Sequence, residues 1–82
     1  MVTQEHIKVI ADTYGYESQR VKLIEELSEL IQALCKNDYD KIEEEMGDVE
    51  IMLEQVKYLG GFTTENIKEY KLVRQIRRIG RG

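Results

Sequence analysis

Lys22-Leu23-Ile24-Glu25-Glu26-Leu27-Ser28-Glu29-Leu30-Ile31 places apolar side chains at positions 23, 24, 27, 30 and 31. A spacing near 3.6 residues marks a helix with one apolar face. The spine Leu23, Leu27, Leu30 and Leu34, flanked by Ile24 and Ile31, extends this helix from about Ser18 to Lys36. Asn37-Asp38 breaks it, and Asp38 can cap the helix that follows. That next helix, about Tyr39 to Leu59, has the spine Ile42, Met46, Val49, Leu53 and Val56 and ends at Gly60-Gly61. Gly47 lies inside it at a cost of about 1 kcal/mol relative to Ala, which predicts a close neighbour against the backbone there.

Two further helices flank this pair. The first is expected from about Thr3 to Thr13, with Thr3 as N-cap, Ile7, Ile10 and Tyr14 on one face, and Gly15 as the stop. The last follows Thr63 as N-cap, with Phe62 and Ile67 as a hydrophobic staple and an apolar face of Leu72, Ile76 and Ile79. No stretch alternates with period 2. The expected fold class is therefore all-α: an antiparallel bundle of about four helices with short connections. It forms one domain over residues 1–82, frayed at about 80–82.

Composition narrows the class. The 82 residues are too few for two independent cores. No apolar run approaches the roughly 20 residues of a membrane span. Met1–His6 lacks the basic-then-apolar layout of a signal peptide. The single Cys35 excludes an internal disulfide and a multi-Cys zinc site, and it fits the reducing cytoplasm. Cys35 itself is expected to be a half-buried small hydrophobe, and the lone His6 to have no site role. Residues 1–65 carry 6 basic and 15 acidic side chains, whereas residues 66–82 carry 6 basic and 1 acidic. An acidic body with a basic end does not read as a nucleic-acid binder, and no nucleic-acid or membrane partner is expected. Val21, Ile24, Ile31, Ile51 and Met52 leave apolar side chains on more than one face, which predicts a homo-oligomer.

The acids have a geometry of their own. At about 100° per residue, Glu26 and Glu29 lie near −60° and −120° from Leu23, and Glu45 and Asp48 lie near −60° and −120° from Ile42. Equal offsets on antiparallel neighbours put both pairs on one side of the interface. Four carboxylates then converge at the edge of the core and repel one another. An all-oxygen donor set points to Mg²⁺, or Mn²⁺, as the ion that relieves the repulsion. Glu25 falls about 100° from Glu26 and reads as an exposed group, a support for the site, or a group reaching across a subunit boundary.

Glu25-Glu26-Leu27-Ser28-Glu29, fifteen further residues, and Glu45-Met46-Gly47-Asp48 resemble the EExxE…ExxD signature of the MazG-like, all-α nucleoside triphosphate pyrophosphohydrolases. The resemblance covers residues 18–59 well and the last helix more weakly. It implies a four-helix module that forms homodimers or homotetramers. It also implies Mg²⁺ held by Glu26, Glu29, Glu45 and Asp48, and hydrolysis of a nucleoside triphosphate to the monophosphate and pyrophosphate. Metal-activated water and phosphate neutralisation suit that chemistry. Glu26 or Glu29 is the candidate to take the water's proton.

In related enzymes basic groups of the last helix hold the triphosphate, and Lys71 and Arg74 match best. The alternative for this stripe is a solvated basic face favoured by the helix dipole. Lys22 can balance charge in the site, or simply form an ordinary i, i+4 pair with Glu26. Arg77, Arg78 and Arg81 read as nonspecific. Base stacking falls to Tyr14, Tyr16, Tyr39, Tyr58 or Tyr70, each of which also suits half-buried packing. The absence of Trp removes one stacking platform, and a second subunit is expected to complete the base pocket. Two other readings stand beside this one. One is a phosphoribosyl-ATP pyrophosphohydrolase-like activity. The other is a non-catalytic helical module that oligomerises or binds a partner through its acidic face and needs no metal.

Overall fold

The computed structural model describes residues 3–80, so the expectations for Arg81 and for fraying at 81–82 lie outside the described residues. Four helices follow in order: α1 (Gln4–Tyr14), α2 (Tyr16–Lys36), α3 (Tyr39–Gly60) and α4 (Glu65–Gly80). No strand occurs among the described residues. None of their helices is long and apolar enough to cross a membrane.

Local chemistry sets the boundaries. Thr3 caps α1 as expected, and His6 completes a capping box: the His6 N–H donates to Thr3 Oγ1 (3.4 Å), and the Thr3 N–H donates to His6 Nδ1 (3.3 Å). His6 has a structural task rather than a site role, as expected, because its ring takes the position that Glu or Gln fills in such boxes. Gly15 both stops α1 and starts α2. Its N–H donates to the Ala11 carbonyl (2.8 Å) and its own carbonyl accepts from the Gln19 N–H (3.1 Å). This one-residue turn starts α2 at Tyr16, two residues before the expected Ser18. It uses φ 85 and ψ 168, a region open essentially only to glycine.

The α2–α3 turn follows expectation. Asn37 closes α2 in the left-handed region and Asp38 Oδ1 accepts from the Lys41 N–H (3.3 Å). At the end of α3, Gly61 is left-handed while Phe62 N–H returns to the Lys57 carbonyl (2.9 Å), a Schellman closure. The first carbonyl of α4 to accept is that of Thr64, from the Lys68 N–H (2.8 Å). That cap is one residue later than expected, which takes Phe62 and Ile67 out of staple register. Phe62 instead meets Tyr16 edge-on, with ring centroids 6.3 Å apart.

Helices α2 and α3 form the main pair, with α1 laid mostly on α3. Their order is antiparallel: Glu29 lies beside Glu45 and Gln19 beside Gln55, so numbers fall along one helix as they rise along the other. The buried apolar core is small, comprising Ile7, Ala11, Ala33, Val49, Met52 and Val56. Leu23, Leu30, Ile42 and Leu59 are half-buried beside it.

The expected spines are only half inside. Leu27, Leu34, Met46 and Leu53 are exposed, as are Ile24 and Ile31. On α1 the buried face is Ile7 and Ala11, while Ile10 and Tyr14 are exposed. The reason is rotation. The seam uses Gln19, Leu23, Glu26, Leu30 and Ala33 on α2 against Ile42, Glu45, Val49, Met52, Val56 and Leu59 on α3, an alternating 3–4 spacing. It is turned toward the acidic flank, and α1 covers part of that side.

The opposite flank stays open because α4 stands away. No Cα of α4 comes within 8 Å of a Cα of the other helices, and none of its residues is buried. The radius of gyration is 15.6 Å, against about 12 Å for a compact domain of this length. Three helices form the packed body and the fourth extends from it.

Gly47 also departs from expectation. A Cβ built on it meets nothing within 4 Å, so no neighbour packs against that backbone in the chain. The two glycines therefore predict opposite effects in chemical denaturation. Gly47→Ala gains about 0.5–1 kcal/mol from lowered chain entropy and better helix propensity. Gly15→Ala loses about 1–3 kcal/mol through its positive φ.

Candidate metal centre

The rotated seam carries two glutamates into the interior. Glu26 is 8% exposed and Glu45 6%, both at positions that an ordinary helix pair fills with Leu or Val. Glu29, one turn beyond Glu26, is exposed at the rim. One carboxylate oxygen from each of Glu26, Glu29 and Glu45 lies within 4.8 Å of the others. Asp48 is half-buried one turn along α3 and falls outside that trio, although its charge reaches Glu45.

The electrostatics are only partly balanced. Lys22 Nζ lies 3.5 Å from Glu26 Oε1 and 3.6 Å from Glu25 Oε2. Lys41 Nζ lies 4.0 Å from Glu45 Oε1 and 3.6 Å from Glu44 Oε2. The second oxygens, Glu26 Oε2 and Glu45 Oε2, are buried and meet no hydrogen-bond donor. A buried carboxylate oxygen without a donor loses its hydration for nothing in return. Burial, then the Glu29 carboxylate as neighbour and charge, then Asp48, push the Glu45 carboxyl above its ordinary range, with Lys41 pulling the other way. Glu26 holds the Lys22 ammonium above its own range, first as hydrogen-bond partner and then by charge.

This donor set fits a hard divalent cation. Two orphaned oxygens and a third carboxylate at the rim supply oxygen ligands alone, without Cys or His, as Mg²⁺ and Mn²⁺ prefer. Burial first, and then the charge excess that a cation would cancel, shift Glu45.

Other expected residues fall in different places. Glu25 is exposed and shares Lys22 with Glu26. Lys71 and Arg74 are exposed on α4, which does not reach the carboxylates of its own chain; the Arg74 guanidinium sits 5.8 Å from the Tyr70 ring centroid. Tyr58 donates its hydroxyl to Asp12 (2.9 Å) and thereby ties α1 to α3. Tyr16 is half-buried against Phe62, whereas Tyr14, Tyr39 and Tyr70 are exposed. Cys35 is exposed rather than half-buried, because the face of α2 that bears it points away from the seam.

Two features escaped the sequence reading. Lys41 stands four residues before Glu45 just as Lys22 stands four before Glu26, and that repeated spacing was available as a signal. Gln19 and Gln55 meet in the interior. Their only sequence signal was a polar residue on the seam, visible once its rotation is known.

A family model described as MazG nucleotide pyrophosphohydrolase domain matches residues 14–77. That span includes all four carboxylates and most of α4. Comparison with curated proteins and with solved structures gave no match.

The raised Glu45 carboxyl fixes the sign of a pH effect. In metal-free protein the folded state holds this proton more tightly than the unfolded chain, whose Glu titrates near 4.5. The Glu45 contribution is therefore fully present below that pH and is lost as pH rises through the folded-state value. Melting temperatures of wild type and Glu45→Gln, compared in chelator from pH 4 upward, should diverge with rising pH, the Gln variant becoming relatively more stable.

Proposed function

Since this chain belongs to the MazG nucleotide pyrophosphohydrolase domain family, we propose that it hydrolyses a nucleoside triphosphate to the monophosphate and pyrophosphate in a Mg²⁺-dependent reaction. The observation that carries this reading is the trio Glu26, Glu29 and Glu45, with two buried oxygens that no protein donor meets. The bound ion supplies an acidified water and positive charge against the phosphate oxygens.

The protein's own groups divide the remaining tasks. Glu26 and Glu45 hold the ion from the seam, with Asp48 one turn along as a further ligand. Glu29, at the solvent edge, is placed to share the ion and to accept the proton of the attacking water. Lys22 holds the Glu26 carboxylate in place and offers positive charge to a phosphate at the rim. Water adds to the α-phosphorus, whose bond to the bridging oxygen breaks so that pyrophosphate leaves, or it adds to the β-phosphorus, whose bond to that oxygen breaks so that the monophosphate leaves. Either way the water's proton goes to Glu29 and the products are the same.

Lys71 and Arg74 hold phosphate in this proposal, and they do so in a second copy of the chain. Within one chain no Cα of α4 comes within 8 Å of a Cα of the other helices, and only its first turn, at Ile67 and Lys68, lines a cavity with α3. Its Leu72, Ile76 and Ile79 are exposed, as is the row Ile24, Leu27, Ile31 and Leu34 with Met46 and Leu53 on the body. Apolar surface on both elements and opposite charge on the two parts favour α4 of one copy lying on the body of another. The active form is then a homodimer or homotetramer acting on a small-molecule nucleotide in the cytoplasm, with neither membrane nor nucleic acid as partner.

A panel of standard, deoxy and damaged nucleoside triphosphates with Mg²⁺ tests the activity, with pyrophosphate and monophosphate as the products measured. Glu26→Gln and Glu29→Ala should each lower kcat/KM by about 100-fold or more. Lys71→Ala should raise KM by roughly tenfold, the scale of one charge-assisted phosphate contact. Absence of product from every substrate would remove the enzyme reading. For the shared site, Glu45→Gln and Lys71→Ala/Arg74→Ala proteins, each impaired alone, should recover part of the wild-type rate when mixed and re-equilibrated. Strictly additive rates would return α4 to the site of its own chain.

A further inference from the structure

Glu29 and Glu45 of the acidic trio line a cavity of about 300 Å³ on the side of the α2–α3 turn, and the body carries a second hollow on the other side of Glu26. Toward the start of α2 lies this second cavity, of about 720 Å³. Ile10 and Tyr14 of α1, Val21 of α2 and Met52 of α3 form its apolar walls, with Gln19 and Gln55 among its lining groups. Gln19 is 6% exposed and Gln55 2%, and Gln19 Nε2 donates to Gln55 Oε1 at 2.7 Å. Lys22 and Glu25 also line the cavity, and Lys22 Nζ lies 3.5 Å from Glu26 Oε1, so Lys22 stands between the cavity and the acids.

An interior amide pair needs a reason. Gln19 and Gln55 sit where α1, α2 and α3 meet, and apolar side chains there would enlarge a thin core. Their mutual hydrogen bond uses one donor of Gln19 and the acceptor of Gln55. It leaves the Gln19 carbonyl oxygen and the Gln55 amino group for other partners. The shared bond also couples the two amides, since turning either one over breaks it. The pair therefore presents an acceptor and a donor together, in a fixed relation, beside an apolar-walled cavity.

Position adds the second argument. Gln19 precedes Glu26 by seven residues and Glu29 by ten, and Gln55 follows Glu45 by ten, which puts the amide pair about 10–15 Å along the helices from the trio. An extended sugar with its α- and β-phosphates covers such a distance. We infer that the Gln19–Gln55 pair is the base-reading element of this chain: it hydrogen-bonds the polar edge of a nucleobase seated against Ile10, Tyr14, Val21 and Met52, while the phosphates lie at the acidic trio. The inference rests on the nucleotide reading of that trio. A site that hydrogen-bonds a base edge rejects a base with the wrong donor–acceptor order, because its own amides are then left unpaired.

Two measurements separate this inference from the reading beneath it. In full-length ¹⁵N-labelled protein without metal, the side-chain NH₂ resonances of Gln19 and Gln55 are followed. The additions are the deoxynucleoside monophosphates of adenine, guanine, cytosine and uracil. Shifts that differ among the four bases support the inference. In parallel, kcat/KM for the four triphosphates is compared in wild type, Gln19→Leu and Gln55→Leu, with Mn²⁺ affinity as a control. The spread between best and worst base should narrow at least tenfold in either variant at unchanged Mn²⁺ affinity. Hydrolysis that proceeds while neither amide responds to any base, or a spread that both folded variants retain, overturns the inference and leaves the hydrolase reading intact. Base-dependent amide shifts in a protein that hydrolyses nothing sustain the inference and remove the hydrolase.

Discussion

Glu26 and Glu45 stand in a helix–helix seam with one oxygen each that no protein donor reaches, and much of the molecule's arrangement bears on that fact. Two ionised groups removed from water are tolerable only when opposing charge is close. The chain supplies part of it from Lys22 and Lys41, each one turn earlier on the same helix, and each touching only one of the two oxygens. Burial, and after it this shortfall beside Glu29 and Asp48, raises the Glu45 carboxyl. The same shortfall would favour a hard divalent cation there, so the repulsion in the seam and the proposed chemistry have one origin.

The same seam explains why the body is thin. Of the positions that α2 and α3 turn toward each other, Gln19, Glu26 and Glu45 are polar, and Gln55 is buried alongside them. What remains apolar and buried among the described residues is six side chains, with Ala11 and Ala33 among the smallest. A core of that size supplies only a few kcal/mol. Meanwhile α4 and the outer faces of α2 and α3 leave large aliphatic side chains in solvent. The second copy proposed above would cover this surface and bring basic residues to the carboxylates, joining stability and substrate binding in one contact.

Much of this was legible in the chain itself. The 3.6-residue spacing, Thr3, Asp38 and the Asn37 and Gly61 stops set helix number and, within a residue or two, their ends, since caps and left-handed residues act over a single turn. Where the ends moved, at Tyr16 and Glu65, the cause was again local: a glycine serving two helices and a cap one residue later. The acidic flank was legible too, because an angular offset on a helix depends only on residue number. Glu26, Glu29 and Glu45 converge as that offset predicts, and the family match is consistent with the motif.

Sequence periodicity by itself determined four helices, an antiparallel central pair and a convergence of carboxylates, since each follows from intervals along one chain. Only the tertiary structure decided which apolar stripe faces inward. Both helices carry more apolar positions than one contact can cover, and intervals along one chain do not rank them. That choice exposed Leu27, Leu34, Met46 and Leu53, drew Glu26 and Glu45 inside, left Asp48 half a step outside the trio and brought Gln19 against Gln55. The position of α4 belongs to the same class. Its amphipathic pattern says that it must be covered, but a pattern on one helix carries no information about which surface covers it.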